Sequence, residues 1–138
     1  MVDLTENEKE IVVLAALEIN RANQYRRFQK HVKQAGDVDT SSQDLTIDIT
    51  SREDRLYIIT AMSAWDKDSQ CDMIRLGLKG ADTFFFTSNK PSTSLESVDF
   101  GGQILAVDGE SLIARFEGAT ATDTIHYTVN GYWIRDIR

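Results

Sequence analysis

A chain of 138 residues with 41% hydrophobic residues, one cysteine and a formal net charge of −7 is long enough for one domain with a sizeable core and needs no disulfide staple. The acidic balance excludes a general affinity for nucleic acid, which depends on cations that displace phosphate counterions. The longest apolar run, residues 11–17, falls short of the roughly 20 residues that span a bilayer, so no membrane partner is expected. Val2-Asp3-Leu4-Thr5-Glu6-Asn7-Glu8 carries no secretory pattern, which places folding in a reducing cytoplasm.

The first expected element is a long helix. Thr5 with Glu8 reads as a capping box, Glu6, Glu8 and Glu10 suit the positive helix end, and Gly36 reads as the stop. A helix over residues 6–34 would be roughly 43 Å long. Its apolar seam, Ile11, Leu14, Tyr25, Phe28 and Val32, with further apolar positions on other faces of its first half, points to packing against a second copy as well as its own domain. Arg26, Arg27, Lys30, His31 and Lys33 then form a basic cluster that suits a helix C-terminus, with contact to an acidic partner surface as the functional alternative. The expected organisation is a helical arm over 1–36 and a β-sandwich over 43–138.

From residue 45 the period changes to alternation. Leu45, Ile47 and Ile49 alternate with Thr46, Asp48 and Thr50, the pattern of a half-buried strand. Further strands are expected over 55–62, 73–78, 83–87, 97–100, 103–107, 112–116, 124–129 and 132–134, with turns at Gly101-Gly102, Asp108-Gly109 and the hairpin pair Asn130-Gly131. About nine short strands with no helix between them call for an antiparallel sandwich of jelly-roll type.

Chemistry is sparse. No phosphate loop, G-x-S-x-G elbow or H-E-x-x-H motif occurs, so neither enzymatic activity nor a cofactor is expected. Asp66, Asp68 and Asp72 cluster, but they lack the glycine and closing glutamate of a calcium loop; a solvated turn is the expectation. Cys71 reads as a small apolar filler. Phe84-Phe85-Phe86 cannot all face one side of a strand. Phe85 and Trp133, with Arg26, Arg27 and Lys30, are therefore candidate partner contacts, and Trp65, Tyr132 and Trp133 could also line a carbohydrate platform.

Arg55-Leu56-Tyr57-Ile58-Ile59-Thr60-Ala61, Cys71-Asp72-Met73-Ile74-Arg75-Leu76-Gly77, Gly109-Glu110-Ser111-Leu112-Ile113-Ala114-Arg115-Phe116-Glu117-Gly118-Ala119 and Asn130-Gly131-Tyr132-Trp133 together resemble the small jelly-roll structural proteins of tailed bacteriophages. The resemblance is one of pattern over residues 50–135 and leaves the helix out. It implies a virion component, often trimeric, with no catalytic or metal residues. The expectation is a capsid decoration (cement) protein that contacts the major capsid protein or another virion protein. A receptor- or carbohydrate-binding domain of a tail or fibre, and a head–tail connector, are the alternatives.

Overall fold

Alternation dominates the computed structural model, which describes residues 26–49 and 55–135. Every regular element within them is a strand: β1 (Arg26–Ala35), β2 (Gln43–Asp48), β3 (Arg55–Asp66), β4 (Met73–Lys79), β5 (Thr83–Asn89), β6 (Val98–Ala106), β7 (Ser111–Glu117) and β8 (Thr124–Arg135). They form two four-stranded sheets, ordered β1-β8-β3-β6 and β2-β7-β4-β5, with antiparallel neighbours throughout. The chain is thus mainly β and sandwich-like. Ile59, Met62, Tyr127 and Val129 from the first sheet and Ile74, Leu76, Leu112 and Phe116 from the second are buried in one core. Removing such a side chain from water stabilises the fold by roughly 1.5–3 kcal/mol.

The helix expected over 6–34 is corrected over its C-terminal part. Residues 26–35 form β1, which pairs with β8 from Arg26 opposite Trp133 to Ala35 opposite Thr124, so they belong to the sandwich and not to a helical arm. The cause is an ambiguity of spacing: Phe28 and Val32 are four apart, which puts them on one face of a helix and equally on one face of a strand. Ten residues of ladder with β8 override the helix propensity of Arg, Lys, Gln and Ala. The remainder of the expected helix, with Ile11, Leu14 and Tyr25, lies outside the described residues.

Two expected turns are also corrected. Gly101-Gly102 lies within β6, and Asn130-Gly131 lies within β8. Gly131 stands opposite Phe28 on one side and Ile59 on the other, and a Cβ there would collide with the Ile58 carbonyl oxygen. The glycine therefore serves a close approach of backbones, not a turn. The crowding coincides with a bulge at Thr60, where Ile59 pairs with Gly131 and Ala61 with Asn130. The extra residue reverses the parity of β3: Tyr57 and Ile59 point into the core before it, and Met62, Ala64 and Asp66 after it.

The connectors 36–42, 67–72, 90–97 and 118–123 are laced together by backbone hydrogen bonds. Gly36 N donates to Asp123 O, Gly118 N to Thr40 O, Asp72 N to Glu117 O, and Leu95 N to Asp66 O. The β4–β5 and β6–β7 connections lie at the opposite end of the strands, where β1 and β3 begin and β8 ends.

Candidate functional site

Three groupings of side chains carry whatever chemistry the described residues offer: the β5 edge, the outer face of the β1-β8-β3-β6 sheet, and an acid pair under the connectors.

At the β5 edge, Phe84 is 66% and Phe86 45% exposed, while Phe85 is half-buried. Phe85 sits opposite Gly77 of β4, which in turn sits opposite Ile113 of β7. Gly77 puts no side chain between them, and any Cβ there would strike the Phe84 carbonyl oxygen. The Arg115 guanidinium lies 5.1 Å from the Phe85 ring centre and is held by Asp44 through two hydrogen bonds of 2.8 and 3.1 Å. Phe86 is the residue skipped where the register shifts between Leu76 and Gly77. Its ring centre lies 5.7 Å from that of Phe100 on β6, so it bridges the neighbouring edges of the two sheets.

On the outer face of the other sheet, Trp65 of β3 stands directly opposite His126 of β8, with ring centres 5.0 Å apart and planes 8° from parallel. His31 of β1 continues this plane. Its Nε2 is 3.0 Å from His126 Nδ1 with the rings 13° from parallel, and one imidazole donates its N–H to the other. Burial, reinforced by His31, Lys33 and Lys67 and opposed by Asp68, holds His126 below its ordinary pKa.

Under the connectors, Asp66 and Asp123 are both 2% exposed and hydrogen-bond to one another. Burial, together with that bond, raises the pKa of Asp66. Burial also pushes Asp123 upward, but the bonds it accepts from Asp66, the Ser69 hydroxyl and the Thr120 amide outweigh it and hold Asp123 low. Of the two acids it is therefore Asp66 whose protonated form the fold favours. Asp66 Oδ1 also accepts from the Asp68 and Ser69 amides at 2.9 and 3.1 Å, and its other oxygen accepts from the Cys71 thiol at 3.3 Å. Asp68 adds a carboxylate oxygen within 4.8 Å of both, which makes a cation site arithmetically possible. Each acid, however, already holds a backbone amide of the turns it closes, Asp68 that of Thr124. Their evident work is to fix the connectors.

The other sequence candidates are distributed rather than gathered. Phe28 and Val32 pack on the core of their own domain, Phe28 edge-on to Tyr57 at 5.0 Å, so the expected helical seam is absent over 26–35. Arg26, Arg27 and Lys30 are exposed along β1. Trp133 packs against the core with the Arg55 guanidinium 4.0 Å above its ring. No sequence signal linked His31 to His126, or Asp66 to Asp123, because each pair is joined only by the strand order. Cys71 is buried within the core cluster as expected, and its thiol also donates to Asp66.

The fold and these surfaces define a mainly β, sandwich-like domain. No family model matches the chain, and no curated protein matches it either.

Proposed function

We propose that this chain is a structural protein of a tailed-bacteriophage particle, a decoration protein that cements the outer capsid surface without catalysis or cofactor. The observation that carries the reading is the strand order, in which β1 lies beside β8 and β3 beside β6, with β2-β7-β4-β5 facing them. This interleaving supports a jelly roll, an architecture shared by viral capsid and lectin domains. Such a protein works by area and shape complementarity more than by a pocket, and the exposed β5 edge offers that kind of surface. Its partners in this reading are two further copies, forming a trimer, and the major capsid protein; its location is the virion.

The parallel plane of Trp65, His126 and His31 favours a second reading, a glycan-binding domain of a tail or fibre, since sugars stack on such faces. Quantitative mass spectrometry on virions of the phage that encodes the chain separates the two. A decoration protein is present in a copy number that tracks the major capsid protein. A copy number matching the tail components would move the reading to the tail, and absence from particles would refute both.

A further inference from the structure

The four edge strands of the two sheets differ in how they are guarded. β1 carries Arg26, Arg27, Lys30 and Lys33; β2 carries Asp44 and Asp48; β6 carries Asp99 and a glycine pair. Charge on an edge discourages indiscriminate pairing. β5, Thr-Phe-Phe-Phe-Thr-Ser-Asn, has no charged residue and no proline, and it exposes two phenylalanines. Among the described residues it has a strand on one side only.

We propose that β5 pairs with β2 of a second copy of this chain, so that the β2-β7-β4-β5 sheet continues from subunit to subunit in a closed ring. Strand polarity allows it. A strictly antiparallel sheet of four strands has edges running in opposite directions. A copy rotated about an axis along the strands therefore presents β2 antiparallel to β5.

Charge selects the partner edge. Asp48, Ser111, Lys79 and Thr83 lie in one row across the sheet, so continuing the sheet brings Asp48 of the next copy beside Thr83, one strand from Lys79. At the other end, Asn89 is level with Gln43, so Lys90, the next residue, lies diagonally from the Asp44 of the incoming strand. Phe84 lies in the row of Leu78, Leu112 and Ile47 and meets Ile47 of the incoming strand. Phe85, in the row of Gly77, Ile113 and Thr46, meets the exposed Thr46. β1, with its four cations, offers the lysines flanking β5 only repulsion. A head-to-tail contact of this kind closes into a ring when the rotation permits and otherwise runs into a filament.

The inference rests on the homo-oligomer part of the reading above and not on the capsid part. The test is mass by light scattering on the full chain and on three variants, with circular dichroism to establish folding. Thr83→Glu, in the row of Asp48, faces that aspartate of the next copy and is expected to dissociate the ring to monomers. Thr83→Lys, at the same position, is expected to keep it, and Asp48→Lys is expected to restore the Thr83→Glu variant.

A double variant, Thr83→Cys with Asp48→Cys, adds a second readout. Residues opposite one another on paired strands have Cα atoms about 4.5–5.5 Å apart, within disulfide reach. Inside one copy the two positions are three strand spacings, about 14 Å, apart. Oxidation should therefore give linked copies on a non-reducing gel. A wild-type ring that survives Thr83→Glu and yields no cross-link overturns this interface and leaves the oligomer reading standing. A monomeric wild-type chain overturns both.

Discussion

Replacing Asp66 separates its titration from the hydrogen bonds that surround it. Asp66→Asn imitates the protonated acid. It keeps an oxygen for the Asp68 and Ser69 amides and gains an amide N–H to donate to Asp123. Asp66→Ala abandons two backbone donors, the Cys71 thiol and the bond to Asp123. With about 1–3 kcal/mol for each buried group left unsatisfied, and part of that recovered by solvent at the half-buried turn amides, the alanine variant should lose about 3–5 kcal/mol. The asparagine variant should stay within about 1 kcal/mol of the parent near pH 5.

The two proteins should then diverge as pH rises. Asp66 has a folded pKa above the 3.8 of its unfolded form. The native state therefore binds more protons than the unfolded state between those values, and stability falls as pH increases through that window. Asparagine has no proton to lose. Asp123 and His126 titrate in both proteins and largely cancel in the difference. Urea unfolding followed by tryptophan fluorescence from pH 4 to 8 reads this difference directly, and it should grow in favour of Asp66→Asn. Asp123→Asn is the control and should be clearly worse than Asp66→Asn, because Asp123 is the charged acceptor of three donors. A difference that is flat with pH, or an asparagine variant as damaged as the alanine one, would refute a raised pKa at Asp66.

His126 titrates with the opposite sense. Its folded pKa lies below the ordinary value near 6.5, so the unfolded state binds more protons and stability should drop as pH falls from about 7 to 5; His126→Gln should flatten that part of the urea-midpoint profile. Gly131→Ala should cost at least 1–3 kcal/mol, read as a lower thermal midpoint by circular dichroism, since its Cβ meets main chain of β3 and not a side chain that could rotate away. An unchanged midpoint would mean that β3 and β8 do not approach closely at the Thr60 bulge.

Much of the sandwich was legible in the sequence because burial on one face of a sheet writes itself as period two. Leu45 with Ile47, and Ile125 with Tyr127 and Val129, alternate as they should and are buried as they should be. What escaped reading had physical causes. Phe28 and Val32 are spaced by a number that helix and strand share. Asn130-Gly131 is turn chemistry in most settings, and only the backbone crossing beside it gives the glycine another purpose. The Thr60 bulge reverses the inward face of β3 without marking the sequence, because Ile58 and Ile59 are both apolar and both orientations read as plausible. Asp66 was expected in a solvated turn with Asp68 and Asp72, whereas its partner is Asp123, brought to it by the β3–β8 ladder. Of the phenylalanine run, the sequence required at least one residue to look away from the core; Phe85 does so, in the outer row of Ile113 and Thr46, while Phe84 and the skipped Phe86 are exposed at the sheet edge.

The position of β8 has a consequence for how the chain is made. It lies between β1 and β3, so the first sheet cannot close while residues 124–135 are still inside the ribosome. Until then β1 has no neighbour, β3 has β6 alone, and the core face of Tyr57, Ile59 and Met62 waits for Tyr127 and Val129. Folding should therefore be late and concerted, as expected where pairing is dominated by distant segments. A nascent chain stalled before residue 124 should be digested by protease along most of its length, and one released with β8 intact should become resistant in a single step.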